Sequence, residues 1–195
     1  MNTLSLRGEG PTSALPGDLA IWIFIFAEMG VFGVLFIVYA WARRSHLELF
    51  EAGQALLDRR IGLANTLIFI SSSYAVARAA AAIRADRAAA CRRWLLAALT
   101  AGAAFVVLKV GEFGLDAERG IGLSRNLFDM FYLSLTFFHF MHVLMGLVIL
   151  AVVAWKTGRG AYSARSHSGV ETAGAYWHMV DLVWIVLFAL VYVLH

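Results

Sequence analysis

The sequence predicts an all-α polytopic membrane protein, a single membrane domain built as a bundle of five transmembrane helices. Three observations carry that prediction. Hydrophobic residues make up 61% of the chain and charged residues only 15%, with a mean hydropathy of +0.75. Soluble domains run at about 45–50% apolar and about 25% charged, and a water-soluble core of this size could not hide so much apolar surface. Five stretches reach the roughly 20 mostly apolar residues that a helix needs to cross hydrocarbon. The arginines sit between those stretches, so they read as topology signals rather than as a nucleic-acid surface.

Residues 1–18 are polar, contain Pro11, Pro16 and Gly17, and lack the apolar core of a signal peptide, which predicts a short polar arm. The first span covers about residues 19–42 and stops at Arg43-Arg44. A polar, helix-prone connector follows over 46–60, with Glu48, Glu51, Asp58, Arg59 and Arg60. The remaining spans cover about 61–83, 94–114, 127–155 and 174–194, the fourth long enough that it must tilt or project. With the N-terminus inside, the inner side collects nine lysines and arginines, counting a snorkelling Arg78, and the outer side six. That bias predicts a cytoplasmic N-terminus and an outer C-terminus. The single cysteine, Cys91, rules out an internal disulfide.

Small residues mark candidate helix contacts: Ala27, Gly30 and Gly33 in the first span and the run 100–104 in the third. Asn65, Thr66, Ser72 and Thr136 are read as structural polar groups, and the serines at 71–73 as able to bond back to a carbonyl one turn earlier.

The ionisable residues inside the spans are the functional candidates, because charge in hydrocarbon is expensive. Glu28 lies roughly 15 Å into its helix with no basic residue one turn away. A carboxyl there must take a proton or find a partner on another helix, which leaves two readings: a proton-relay group or a hydrogen-bonded neutral acid. In the stretch 128–146, Asp129, Tyr132, Thr136, His139 and His142 share one helical face about 140° wide, and the bundle is expected to form around it. Lys109 and Glu112 form an i,i+3 pair expected near the interface. Glu171, His178 and Asp181 share a stripe of the fifth span. Matched depths predict that His139, His142, His178 and Asp181 form one polar cluster between the fourth and fifth spans. A metal could explain three histidines and an acid, but the paired Glu-x-x-His of di-iron bundles is absent. Arg78, Arg84 and Arg87 are candidates for holding phospholipid headgroups.

Four stretches now carry a resemblance: WIFIFAEMGVFG with Glu28, LANTLIFISSS with Asn65, Thr66, Ser72 and Ser73, SLTFFHFMHVLMG with Thr136, His139, His142 and Gly146, and YWHMVDLVWIVLF with Trp177, His178, Asp181 and Trp184. In that order they resemble subunit III of the haem-copper respiratory oxidases. Glu112, followed by Phe113, falls where that family has Glu-Tyr. Two departures stand out. Family members of full length have seven helices, and this chain looks like one lacking the first two. Phe140 replaces the glycine of the family's His-Gly-x-His. Short five-helix members include oxidase subunits and accessory proteins of nitric oxide reductases, and both stay open here. The resemblance implies a subunit of a bacterial-type inner membrane with no catalytic centre and no cofactor of its own. Haem and copper would belong to partner subunits I and II. The chain would pack beside subunit I, hold phospholipid in a cleft between two helix groups, and support proton uptake and stability. The residues themselves leave two rivals: a proton-coupled transporter, although no inverted repeat is visible, and a metalloenzyme using His139, His142, His178 and Asp181.

Overall fold

Apolar length sets the architecture. The computed structural model describes residues 19–194, and the expected polar arm over 1–18 lies outside them. Helix α1 (Leu19–Ser45) is followed by a short α2 (Leu47–Leu56), then α3 (Arg59–Arg84), α4 (Ala88–Glu118), α5 (Leu127–Gly158) and α6 (Ser168–Phe188). All except α2 are long and apolar enough to span a membrane, as the sequence predicts. The last span continues as a π-helical turn over Ala189–Val193. No strand forms among the described residues, and Ser163 and Ser166 make one isolated bridge.

The helices run past the ends that hydropathy marks. Helix α4 starts at Ala88 and ends at Glu118 because the alanine-rich flank AAACRR before the apolar run and LDAE after it favour helix without being apolar throughout. Its 31 residues give about 46 Å, against a hydrocarbon core of about 30 Å, so its ends project. Side-chain caps begin two of the helices. Asp58 Oδ1 accepts from Arg60 N at 2.9 Å at the start of α3, and Asn126 Oδ1 accepts from Asp129 N at 2.8 Å at the start of α5. Each cap satisfies amides that the helix itself leaves open, at about 1 kcal/mol apiece.

The centre of the bundle is shared: α5 packs on α1, α2, α4 and α6, as the sequence predicts, and α6 on α1, α3 and α5. Half of the most apolar window of α6 is buried, against 44% for α3, 39% for α5 and 11% for α1. The cause is Trp177, whose buried indole needs a slot between two helices. Gly102 on α4 and Gly146 on α5 supply it: a Cβ on Gly102 would meet Trp177 Cη2 at 3.0 Å, and one on Gly146 would meet Cε3 at 2.8 Å. Phe140 packs edge-on against Phe113 at 5.9 Å, so the residue that departs from the glycine motif fills the α4–α5 contact. The small face of α1 does not do what its composition suggests. Beta carbons on Gly30 and Gly33 would meet nothing within 4 Å, so that face is unpartnered among the described residues. In the connector, α2 buries Phe50 edge-on against Tyr39 and Phe128, and Gln54 Nε2 donates to Leu190 O at 3.0 Å. That bond serves a carbonyl in the π turn.

Candidate functional site

The candidate residues do not form one cluster. They separate into four groups: Glu28 with His142, His139 alone in the core, His178 with Asp181, and Lys109 with Glu112.

Glu28 on α1 meets His142 on α5, Oε2 to Nε2 at 3.0 Å. The other ring nitrogen, Nδ1, faces the carbonyl of Phe138 at 2.8 Å. A carbonyl only accepts, so Nδ1 carries a hydrogen. A single proton then occupies the gap between Nε2 and the carboxyl, borne by the ring as imidazolium or by the acid. Phe32 and Phe138 stand edge-on to the imidazole at 5.3 and 4.8 Å and keep the pair dry on those sides. Tyr176 OH donates to His142 O at 3.1 Å, tying the site to α6. The Glu28 side chain keeps 21% exposure and His142 keeps 9%, so the pair is reached from the α1 side.

His139, one turn earlier, is a packed core residue. Its Nε2 donates to Val180 O at 3.1 Å, and Phe69, Phe105 and Trp184 surround the ring. Its Nδ1 is buried without a partner.

His178 and Asp181 turn the other way. Ser73 Oγ lies 2.6 Å from His178 Nδ1, and the same hydroxyl serves Asp181. His178 is exposed. The expected four-residue cluster therefore fails, and helical geometry explains why. Trp177, Val180 and Trp184 form the stripe that faces α5, and His178 sits about 100° around the helix from Trp177. Equal depth did not mean equal face.

The Lys109–Glu112 pair also differs from expectation, since it is buried rather than interfacial. Lys109 retains 1% exposure and Glu112 3%. Lys109 Nζ donates to Glu112 Oε2 at 3.0 Å and to Tyr192 OH at 3.1 Å. Tyr192 OH donates to Glu112 Oε1 at 2.6 Å, and Tyr132 OH to Asp116 Oδ2 at 2.7 Å. The ammonium stands 5.0 to 5.7 Å from the ring centres of Phe113, Tyr132, Trp184 and Tyr192, inside cation–π range. The π turn aims Tyr192 into this group. Asp116 and Tyr192 escape a reading by hydropathy because they lie beyond or at the end of the apolar windows. The stripe Lys109, Glu112, Asp116, at helical spacings of three and four, is the signal that reveals it.

The structural polar residues divide in the same way. Thr136 Oγ1 bonds back to Tyr132 O at 2.6 Å and Ser71 Oγ to Leu67 O at 2.7 Å, as expected. Ser72 instead crosses to Ala98 O at 2.8 Å. Thr66 Oγ1 bonds back to Gly62 O at 2.9 Å and accepts from Trp184 Nε1 at 3.0 Å. Asn65 is buried with both amide atoms unpartnered. Glu171 pairs with Arg84 Nη2 at 2.8 Å and with His167 Nε2 at 3.3 Å. No three of His, Cys, Asp and Glu converge as a metal set among the described residues.

The four motif stretches thus hold one another: Glu28 to His142, Thr66 to Trp184, Ser73 to His178, His139 to Val180. Residues 16–195 match the family model for cytochrome c oxidase subunit III. The chain belongs to the cytochrome c oxidase subunit III family. A relative called cytochrome c oxidase subunit 3 in Thermostichus vulcanus is 35% identical over 90% of this chain and 86% of its own length. One of the same name in Synechocystis is 38% identical over the whole of this chain and 88% of its own. A longer relative in Aeropyrum pernix, called haem-copper oxidase subunit I+III, is 27% identical over 89% of this chain and 22% of its own length. Within this subunit III fold, every motif stretch reaches another through at least one side-chain hydrogen bond.

Proposed function

We propose that this chain is the non-catalytic subunit III of a haem-copper respiratory oxidase in a bacterial-type inner membrane. It sits beside subunit I and supports proton supply and sustained turnover there. The observation that carries the reading is the Glu28–His142 pair. It holds one proton between two groups deep in a membrane helix, and its carboxyl keeps 21% exposure, so the pair is not sealed off. Such a pair can take a proton from one side and release it to another without a metal. The Aeropyrum relative, whose name joins subunits I and III in one polypeptide, supports subunit I as the neighbour. Relatives named as oxidases favour oxygen over nitric oxide as the acceptor of the complex.

In this reading haem and copper sit in partner subunits. The ring nitrogens of His142 are both engaged, and the bare Nδ1 of His139 has only aromatic rings beside it. The Arg/Lys-rich α3–α4 turn and α5–α6 loop face the cytoplasm. Purification of the tagged chain in mild detergent tests the assignment. A haem protein that consumes oxygen is expected to come with it, and a haem-free preparation would overturn it. Cysteines introduced at Ser45 and Ser163 are expected to label from opposite sides. Labelling from one side would reverse the topology.

A further inference from the structure

The seam between α3 and α4 is open along its outer side, with Leu67, Ile70, Tyr74 and Leu96 exposed. Where α3 turns into α4, Arg78, Arg87 and Trp94 stand around a cavity of about 210 Å³ whose other walls are alanine methyl groups. Alanine leaves this space empty; a longer side chain at Ala81, Ala85 or Ala90 would fill it. Arg78 lies 5.4 Å from the centre of the Trp94 ring and donates to Tyr74 OH at 3.2 Å. Neither Arg78 nor Arg87 joins an ion pair among the described residues. The acids at this end are engaged elsewhere, Glu171 with Arg84 at 2.8 Å and Asp86 with Ala164 N at 3.0 Å. Arg84 is engaged by Glu171, and Arg78 and Arg87 are the cations that line the cavity.

Deeper along the same seam lies a second groove of about 560 Å³, lined by Leu67, Ser71, Ala97, Ala101 and Ala104 among others. The hydroxyls of Ser71 and Thr100 are turned back onto Leu67 O and Leu96 O, so the groove presents hydrocarbon. The two spaces share a face. On α3, residues 67, 71, 74, 78 and 81 recur at helical spacing, and on α4 so do 90, 94, 97, 101 and 104. Tyr74 and Trp94 meet edge-on between the two spaces at 6.1 Å. From Arg78 to Leu67 the helix rises about 16 Å, close to one leaflet of a 30 Å core.

A cationic cavity at the rim above an apolar groove one leaflet deep has the shape of an amphiphile. We propose that the α3–α4 seam binds one anionic phospholipid, its phosphate between Arg78 and Arg87 and an acyl chain in the groove below Trp94. Paired guanidinium groups suit a phosphate diester, and the tyrosine and tryptophan lie at the depth where such rings favour the interface. This seam lies between α3 and α4 alone, so it is not a cleft between helix groups. The proposal rests on the membrane placement and does not need the oxidase assignment.

The test is native mass spectrometry of the complex purified through the tagged chain, with bound phospholipid counted per copy of the chain. Wild type is expected to retain one phosphatidylglycerol-type lipid that R78Q/R87Q loses. A97L/A101L, which fills the groove and keeps both cations, is expected to lose it too. Adding phosphatidylglycerol is expected to restore the lipid to delipidated wild type, and inorganic phosphate at equal concentration is expected not to compete. Retention in both variants would overturn the proposal. Competition by inorganic phosphate would make this a free-phosphate site instead. A photo-crosslinker at Ala101 that captures protein rather than lipid would make the groove a seat for a partner helix. The thiol of Cys91, buried on α4, reports whether each variant is folded. The lipid count stays readable even if no haem protein co-purifies, so this proposal and the oxidase assignment fail separately.

Discussion

Replacing Lys109 with Met would keep most of the side chain's bulk and remove its charge from a site that retains 1% exposure. Two hydrogen bonds go with it, to Glu112 at 3.0 Å and Tyr192 at 3.1 Å, and so do four ring contacts at 5.0 to 5.7 Å. The larger effect is what stays behind. Glu112 and Asp116 remain buried with phenol donors, and only the more distant Arg119 still opposes the charge of Asp116. Removing one side of such a pair costs about 3–5 kcal/mol, chiefly through the group left uncompensated. For a chain of this size that corresponds to a loss of about 6–20 °C in melting temperature. The sole cysteine provides the assay. Cys91 is fully buried, so a thiol-reactive fluorophore reports unfolding in detergent as temperature rises. The double variant K109M/E112Q removes both charges and is expected to be more stable than K109M alone, a non-additivity that marks direct coupling. A K109M protein within about 1 kcal/mol of wild type would refute the argument. So would a double variant whose loss equals the sum of the singles.

Glu28→Gln is expected to leave assembly and the haem spectrum of the complex unchanged while shortening its active lifetime during turnover. Turnover identical to wild type across pH would reduce Glu28 to a buried, satisfied acid. Gly146→Val places a methyl-bearing carbon 2.8 Å from Trp177 and is expected to cost about 1–3 kcal/mol by overpacking, read by the same thermal assay. No change there would mean that the indole does not need its slot. Arg84→Gln removes an ion pair whose arginine is 57% exposed, and the expected cost is only about 0–1 kcal/mol. A loss comparable to that of K109M would show that the helix ends, and not the buried network, hold the bundle together.

Length and apolarity made the five spans legible, because a crossing helix needs a continuous run that no distant residue has to complete. Their ends were less legible: hydropathy stops where lipid stops, and hydrogen bonding does not. Glu28 stood out from sequence because an acid in hydrocarbon must take a proton or find a partner on another helix. Which histidine it meets depends on how α1 leans on α5 across 114 residues of separation. His178 was placed at the right depth and on the wrong face, since the large side chains Trp177 and Trp184 decide how α6 turns. Lys109 and Glu112 were recognised as a pair. Their burial was not, because Tyr132 and Tyr192, which close over them, come from two other elements, one a π turn that no apolar periodicity signals.

The remoteness of His142 from Glu28 also orders events in time. At about 5–20 residues per second, the 114 residues between them take roughly 6–23 s to synthesise. Through that interval α1 is already made and its acid has no mate within the nascent chain. The flank at Gly30 and Gly33 stays unfilled by any described residue even after α5 arrives. Helix α1 is therefore made well before the partner of its acid, and other links between helices wait longer still: Trp184 reaches Thr66 across 118 residues and Gln54 reaches Leu190 across 136.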